Sequence, residues 1–309
     1  MVYLYFAFLV IIWSYSWVVA KLALEFTNPI EFSLLRTVIG TIVIFLFIVS
    51  VKKLQKLKEP FLVALLGLTQ TTGFFIFANL SLVWGGAGKV SMLIYTMPFW
   101  SIILAGIILK ETISQAQKIA IAGSFIGLTF IIEPWKLQSN FLSDFFAILS
   151  AISWAASITI AKIILNKQKM NILSLNAYQM LFGFIGILLC WFLIPQQKET
   201  VFSSYLIFAV LYAGIVATAL GWFLWLYILQ KMRVNTASLS SLAVPILTIL
   251  ESWIQLGEKP NIFELIGVLL ISLSLFIIYL DTTSKIKKVT AYTLMGRFFS
   301  FHFLSKFLI

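Results

Sequence analysis

The chain alternates long apolar runs with short polar connections. Ten runs have roughly the length that crosses a bilayer at about 1.5 Å per helical residue. The first run lacks a basic leader and is followed at once by further runs, so we interpret it as a retained helix rather than a signal peptide. We predict an all-α membrane protein with ten transmembrane helices, at roughly 3–20, 30–51, 61–83, 90–109, 117–132, 141–165, 172–194, 205–229, 235–256 and 262–280.

The fourth and ninth runs each carry a proline near the middle. Pro98 lies in the stretch 85–111, and Pro245 lies in the stretch 236–258. Proline has no amide hydrogen and crowds the carbonyl four residues earlier, so each helix is predicted to break there. Because a freed carbonyl is costly in lipid, such breaks persist where they face protein or a water-filled cavity. We predict hinges at Pro98 and Pro245.

The same two stretches indicate an internal duplication. Both begin with small or hydroxyl residues, and their prolines and their final glutamates are each separated by 147 residues. A second pair of segments, 13–21 and 154–162, matches at Trp, Ser, Ala and Lys with an offset of 141 residues. Two independent pairs at nearly one spacing predict two repeats, 1–133 and 134–281, followed by a basic tail, 282–309.

Composition narrows the class of protein. The chain is 61% hydrophobic and 11% charged, with a mean hydropathy of +1.04, and these values exclude a soluble globular domain of this size. The single Cys190 lies inside an apolar run and offers no disulfide framework. The single His302 excludes a histidine metal cluster. We expect no metal and no cofactor.

Membrane topology explains the net charge of +11 better than nucleic-acid binding does. The basic residues lie in short loops, 16 of them in one set of alternate loops with the tail and five in the other set, Arg36 excluded. By the positive-inside rule, both termini are predicted to be cytoplasmic. The basic start of the tail suits the anionic cytoplasmic leaflet, and its apolar end fits both an interfacial helix and an unordered extension.

Five predicted spans per repeat is an odd number, so the two halves enter the membrane from opposite sides. Inverted repeats of this kind are typical of secondary transporters, in which one half rocks against the other around a site near the midplane. No G-x-x-x-x-G-K-[ST] loop is present for ATP, so energy would come from an ion gradient, a counter-substrate or outflow alone. A membrane enzyme is disfavoured because the sequence has no G-x-S-x-G elbow and no paired intramembrane aspartates. A channel explains two broken helices in inverted halves less well.

Several motifs resemble the drug/metabolite transporter superfamily, EamA type, over residues 2–281. The first half is carried by QTTGFF, NLSLVWGGAGKVSMLIYTMPFW and LKE, and the second by LNAYQML and LAVPILTILESWIQLGE. The resemblance implies two inverted five-helix EamA repeats around a central cavity. It also implies membership of a family that exports amino acids, related metabolites or toxic compounds, or carries nucleotide sugars or S-adenosylmethionine. Lys110 precedes Glu111 where the family more often has Gly-Glu, and the tail is longer than usual.

Glu251 is the sharpest candidate for contact with a substrate. It lies inside the ninth predicted span, where an ionised carboxylate is costly unless it has a partner. Thr248 and Gln255, three residues before it and four after, share its helical face. The functional hypothesis is a contact with a substrate amine or a protonatable coupling group. The structural alternative is a carboxyl tied to a neighbouring helix or close enough to the outer end to reach water.

Polar residues in the second and third spans are further candidates. For Arg36 we favour a structural role in which the side chain snorkels to the outer face, over binding of a substrate carboxylate by the planar guanidinium. Thr72 and Asn79 lie seven residues apart on one helical face, which favours a cavity lining, whereas Gln70 lies on the opposite face from Asn79. Helix–helix contact is the alternative for all three.

Aromatic residues near the predicted breaks are candidate cavity walls. Trp13 and Trp154 are matched by the repeat and fall within spans rather than at the interface, where tryptophan is usual. Tyr95 lies three residues before Pro98. These three side chains could hold an apolar or cationic solute by stacking and cation–π contact. We favour them over Trp222 and Trp225.

We therefore expect an exporter of amino acids or related amphipathic metabolites in the bacterial inner membrane, working by alternating access. The alternatives are uptake or exchange of a nucleotide-like metabolite such as S-adenosylmethionine, and export of drugs or toxic compounds. A nucleotide-like solute should need several cationic residues in the cavity, and the spans offer little beyond Arg36. The expected partners are a small-molecule substrate and the bilayer, with proton coupling as an option and no nucleic acid.

Overall fold

The computed structural model describes residues 2–110, 112–132, 141–167, 169–195, 198–232, 234, 237–238, 241, 243–274, 276–277 and 280. These residues contain helices and connecting loops, and no strand. The tail 282–309, Glu111 and the junction between the predicted repeats lie outside this part of the chain. The helices are α1 (Val2–Ala23), α2 (Pro29–Ser50), α3 (Pro60–Trp84), α4 (Ala87–Ile108), α5 (Gln115–Ile132), α6 (Phe141–Lys167), α7 (Ile172–Leu193), α8 (Ser204–Lys231), α9 (Ala243–Leu256) and α10 (Ile262–Ser274).

Local sequence fixes the starts of several helices. Asn28, Asn171 and Ser203 each accept a hydrogen bond from the backbone N–H three residues later, which satisfies one unpaired donor of the first turn. Pro29 follows its cap at the first helical position, where a missing N–H costs nothing. Polar side chains therefore mark where the chain enters α2, α7 and α8.

Seven of these helices are long and apolar enough to cross a membrane: α1, α2, α3, α4, α6, α7 and α8. α9 and α10 are shorter apolar helices in the described part of the chain. Large apolar side chains such as Leu46, Ile107 and Leu193 are exposed on the outside of the bundle, as lipid contact requires. The prediction of an all-helical membrane protein is confirmed.

The fourth span is interrupted at Tyr95 and Thr96. Its first half ends at Ile94, and its second half begins at Met97 with Pro98 in the first turn. Short turn bonds bridge the break, from Thr96 N to Leu93 O at 3.1 Å and from Phe99 N to Thr96 O at 2.9 Å. In the ninth span, Pro245 lies in the first turn of α9.

π-Helical segments interrupt α3 at Leu68–Gly73 and α8 at Tyr212–Leu220. A π-helix closes its hydrogen bonds over five residues instead of four, so it rotates the side chains that follow relative to a regular α-helix. The two segments begin 144 residues apart, close to the spacings of 141 and 147 found in the sequence. Such segments frequently occur at functional sites.

Helices from the two halves of the chain pack against each other. α1 packs on α8 and α9, α6 on α3 and α4, and α7 on α2 and α3. Lys21 of α1 donates to the carbonyls of Leu82 and Gly85 at 2.7 and 2.9 Å, at the end of α3. Lys162 of α6 donates in the same way to Leu229 and Met232, both at 2.8 Å, at the end of α8. Each lysine thus satisfies carbonyls that a helix end leaves unpaired.

Connections at both ends of the bundle also join the halves. The carboxylate of Glu59 pairs with Lys167, at 3.1 Å, and with Lys169. Hydrogen bonds from Lys169 and Lys167 lower the pKa of this carboxyl. At the other end, Thr27 contacts Thr200 at 2.7 Å. Both ends of the bundle therefore carry contacts between segments far apart in sequence.

Close contact between α3 and α7 depends on the absence of a side chain at Gly67. A Cβ on Gly67 would lie 2.8 Å from the backbone nitrogen of Gly183 on α7 and 2.9 Å from the Cβ of Phe182. Gly67→Val should therefore push α3 and α7 apart, and overpacking of this kind costs about 1–3 kcal/mol. We expect a clearly lower apparent melting temperature in detergent, measured by fluorescence-detected size exclusion.

Ala122→Val is the control because it introduces the same side chain at an exposed position of α5. Equal melting temperatures for the two variants would contradict the close packing of α3 on α7.

Candidate functional site

A small cavity lies at the centre of the bundle. Its volume is about 30 Å³, enough for one or two water molecules. Side chains from α1, α2, α3, α4, α6 and α8 line it. Its walls consist of Trp13, Ser16, Trp17, Ala20, Arg36, Phe74, Phe75, Ala78, Asn79, Tyr95, Trp154, Ala217 and Trp222.

Three tryptophans from three different helices meet at this cavity. The ring centroids of Trp13 and Trp154 are 5.5 Å apart, those of Trp13 and Trp222 are 5.1 Å apart, and those of Trp154 and Trp222 are 6.0 Å apart. All three pairs meet edge to face, which is a favoured geometry for aromatic rings. Tyr95, at the break in α4, meets Trp154 at 5.2 Å. The aromatic candidates Trp13, Trp154 and Tyr95 thus come together in one cluster.

The indole N–H groups of this cluster are unevenly satisfied. Nε1 of Trp13 donates to the carbonyl of Ala217 at 3.0 Å, in the π-helical part of α8. Nε1 of Trp154 and Nε1 of Trp222 are buried without a hydrogen-bond acceptor among the described residues. Since a buried donor without an acceptor is costly, the aromatic cluster retains unmet hydrogen-bonding capacity.

Arg36 lies at the cavity and does not snorkel to the outer face as expected. Its side chain is 6% exposed, and its guanidinium carbon lies 4.1 Å from the ring centroid of Phe75. Nε donates to Thr218 Oγ1 at 3.2 Å, and Nη2 donates to Ala213 O at 3.5 Å. No carboxylate in the described part of the chain pairs with it. The side chain does not reach the outer face because α8 packs over α2 and separates Arg36 from water.

Asn79 also lines the cavity. Its Nδ2 donates to Ser33 Oγ at 2.7 Å, and Ser33 Oγ donates in turn to Pro29 O at 2.7 Å. These bonds fix the amide, and its Oδ1 accepts no hydrogen bond from the described residues. An oriented acceptor therefore lies in the same cavity as the guanidinium of Arg36.

Thr72 and Gln70 do not line the cavity. Thr72 Oγ1 donates to Gly183 O on α7 at 2.9 Å, and Gln70 is buried with neither amide atom hydrogen-bonded to described residues. The expectation that Thr72 shares a face with Asn79 assumed a regular α-helix. The π-helical segment Leu68–Gly73 contains Thr72 and changes its direction relative to Asn79.

The candidates on α9 also lie outside the cavity. Glu251 Oε1 accepts a hydrogen bond from Ser14 Oγ on α1 at 2.9 Å. Thr248 Oγ1 is 3.3 Å from Ser14 O, whereas Gln255 is exposed. Glu251 and Thr248 therefore contact α1, and Gln255 does not share that contact.

Trp222, ranked below the others from sequence, is a central cavity residue, and Trp17, Phe74 and Phe75 were missed. A signal was present for Trp222, because it lies 147 residues after Phe75, the offset that relates the two prolines. The repeat therefore pairs two cavity residues that local sequence does not distinguish from other aromatics. Trp225 is buried beside the cluster, 5.7 Å from Trp13, but does not line the cavity.

A contact between the two halves closes one end of the bundle. Glu258, after α9, accepts hydrogen bonds from Ala87 N at 3.2 Å and Gly88 N at 3.3 Å, at the first turn of α4. A carboxylate at a helix N-terminus satisfies unpaired N–H groups and complements the helix dipole. We call this contact the Glu258 clasp. Beside it, Lys89 pairs with Asp144 at 3.2 Å.

The profile of the EamA-like transporter family matches residues 1–133 and again residues 141–280. The chain belongs to the EamA-like transporter family. Its relatives include the uncharacterized transporter YoaV of Bacillus subtilis, 25% identical over 86% of this chain and 92% of that protein. An uncharacterized transporter of Archaeoglobus fulgidus is 28% identical over 88% and 96%. A protein of Salmonella typhimurium named as a probable amino-acid metabolite efflux pump is 27% identical over 87% and 91%.

The resemblance to EamA-type members of the drug/metabolite transporter superfamily is thereby confirmed. The family and these relatives are named as membrane transporters, not as enzymes. A solved structure titled "Crystal structure of protein" has a TM-score of 0.68 over 90% of this chain and 96% of that one. At 18% identity it shows a shared fold alone.

Loss of the Glu258 clasp should open that end of this EamA-family protein. Glu258→Gln replaces one acceptor with a donor that faces the N–H groups of Ala87 and Gly88. An N-terminal cap is worth about 1 kcal/mol, so we expect about fivefold faster labelling of a cysteine beneath the clasp. The reporter is Ser252→Cys, which is 1% exposed, in a Cys190→Ala background, labelled with a polar maleimide.

Glu199→Gln, which neutralises an exposed carboxylate in a loop, is the control and should leave the labelling rate unchanged. Equal labelling rates for Glu258→Gln and the parent protein would show that the clasp does not hold this end closed.

Proposed function

We propose that the chain is a secondary transporter that exports amino acids or related amphipathic metabolites by alternating access. The observation that carries this proposal is a small central cavity in which one buried guanidinium and one fixed amide face an aromatic wall. The probable amino-acid metabolite efflux pump of Salmonella typhimurium, 27% identical to this chain, supports the substrate class.

The chemistry of the cavity fits a solute with a carboxylate and an apolar part. Arg36 is buried without a carboxylate partner in the described part of the chain, and a charge inside a membrane protein is costly unless it is paired. A substrate carboxylate would supply that partner through the planar fork of the guanidinium. Asn79 Oδ1 offers an acceptor to an ammonium group, and the tryptophans offer apolar surface.

The same chemistry disfavours a nucleotide-like solute. Several phosphate charges would need several cations, and among the residues that line the cavity Arg36 is the one cation. A purely apolar drug would leave Arg36 unpaired. A small zwitterion or monocarboxylate satisfies both constraints.

The proposed architecture is ten transmembrane helices in two inverted repeats, 1–133 and 134–281. It is supported by the double match of the family profile, by the two π-helical segments and by the paired lysine caps on α3 and α8. The distribution of basic residues favours cytoplasmic termini in a bacterial inner membrane. The halves would rock about Pro98 and Pro245 and expose the cavity to one side at a time.

Counterflow tests this function directly. Proteoliposomes that contain the purified protein are preloaded with a mixture of amino acids. Uptake of each labelled amino acid is then compared with uptake into vesicles without the protein. Saturable exchange of a subset is expected for a carrier. Absence of exchange across the set would contradict amino-acid transport, and conductance without saturation would indicate a channel.

Arg36→Gln should weaken binding of the exchanged solute. A hydrogen bond to a charged group contributes about 1.5–3 kcal/mol, so loss of the guanidinium should raise the half-saturation concentration at least about tenfold. Arg36→Lys keeps the charge but loses the fork, so it should show an intermediate value. The measurement is the concentration dependence of counterflow.

The carboxylate contact predicts a further difference between solutes. The amide of the best substrate, which lacks the carboxylate, should be transported equally by Arg36→Gln and by the parent protein. An equal loss for the amide and the carboxylate would show that Arg36 stabilises the fold rather than the substrate.

A further inference from the structure

Glu251 is the carboxylate placed deepest in an apolar helix. It is the ninth residue of the fourteen in α9, whereas the other acidic residues in the described part of the chain lie in loops or in the first turn of a helix. No lysine or arginine of that part pairs with it. Because an ionised carboxylate in a membrane is costly without a partner, this position needs an explanation.

The two oxygens of Glu251 have different surroundings. Oε1 accepts a hydrogen bond from Ser14 Oγ at 2.9 Å. Oε2 is buried and has no hydrogen-bond partner among the described residues. The carboxylate is therefore only half satisfied in its ionised form.

Ser14 can satisfy Glu251 in either protonation state. Its hydroxyl lies 2.9 Å from Glu251 Oε1 and 3.1 Å from the carbonyl of Ile11, but it carries one hydrogen. With an ionised carboxylate, Ser14 donates to Glu251. With a protonated carboxyl, the acid donates to Ser14 Oγ and the Ser14 hydrogen turns to Ile11 O. The two patterns differ by one proton.

The site lies between the two halves of the chain and outside the cavity. Glu251 and Thr248 on α9 contact Ser14 on α1, and Trp13, the next residue on α1, lines the cavity. The two helices belong to the two segments matched by the family profile. A solute held in the cavity does not reach Glu251, so the proton, rather than a substrate amine, is the ligand that fits this position.

The other titratable and charged groups near this contact come from several helices. Tyr212 of α8 lies within electrostatic reach of both Glu251 and Arg36, and it donates to Ile12 O at 2.9 Å. Tyr15 of α1 meets the Tyr212 ring at 5.7 Å. The first half of α4, which also packs on α9, carries Lys89, and this lysine pairs with Asp144 instead. Glu251 is thus the one carboxyl group at this contact between α1 and α9 in the described part of the chain.

We propose that Glu251 is a proton-binding site that couples export to the inward movement of one proton, an inference that rests on the function proposed above. The protonated carboxyl is neutral and permits a dry contact between α1 and α9. The ionised form needs water, so release of the proton favours the state in which this contact is open. Each cycle takes one proton from the outer side onto the carboxylate and releases it to the cytoplasm.

Gradient-driven transport tests the coupling. Proteoliposomes with an acidic interior should accumulate the solute identified by counterflow, because protons leave as the solute enters. Glu251→Gln should lose this accumulation, and its exchange should no longer vary with pH. Glu199→Gln, which neutralises an exposed loop carboxylate, should behave like the parent protein. Gradient-driven accumulation by Glu251→Gln would overturn the proposal.

A measurement without solute separates this proposal from the transport function. Infrared difference spectra of the protein between acidic and basic buffer should show a protonated-carboxyl band, and the part of it that Glu251 contributes should be missing in Glu251→Gln. Ser14→Ala should shift the pH at which half of the Glu251 contribution has appeared. Ser14→Thr, which keeps the hydroxyl, should restore the pH found for the parent protein. An unchanged band in Glu251→Gln would overturn the proton site. A parent protein that shows the band but exchanges no solute would contradict the proposed transport and leave the proton site in place.

Discussion

A polar backbone group inside a bilayer has no water to bond, and this constraint shapes every irregular point of the fold. The break at Tyr95 and Thr96 is buried, and short turn bonds bridge it. The ends of α3 and α8 have their carbonyls capped by Lys21 and Lys162 from the first helix of each half. Irregular backbone therefore occurs where another helix or a lysine satisfies it, and two of the irregular segments, at Tyr95 and at Ala217, line the cavity.

The same constraint explains how the cavity is organised. The π-helical part of α8 presents the carbonyl of Ala217 to the aromatic cluster, and Trp13 donates to it. The three tryptophans pack edge to face from α1, α6 and α8, so movement of one half against the other must rearrange their contacts. Arg36, buried against Phe75, places a single positive charge beside this cluster. In the proposed mechanism, binding and movement thus depend on the same group of side chains.

Hydropathy predicted the helical class and the membrane location, and Pro98 predicted a break in α4. These features depend on local composition. The direction in which the Thr72 side chain points could not be predicted in the same way. The π-helical segment changes the angle per residue, and no sequence pattern predicted that segment. Arg36 was misplaced because the packing of α8 over α2 is a tertiary contact. The Glu258 clasp joins a loop to the first turn of α4, about 170 residues earlier, and local sequence does not encode this pairing. The repeat offset was the strongest unused signal, since it relates Phe75 to Trp222.

Distances between spin labels at the two ends test alternating access around the cavity most directly. One pair is placed at Val83 and Lys259, beside the Glu258 clasp, and the second at Gln230 and Thr112, the positions related to them by the offset of 147 residues. All four positions are exposed. Addition of the exchanged solute should lengthen one distance and shorten the other. Distances that remain fixed at both ends with saturating solute would contradict a mechanism in which the halves rock about the aromatic cluster.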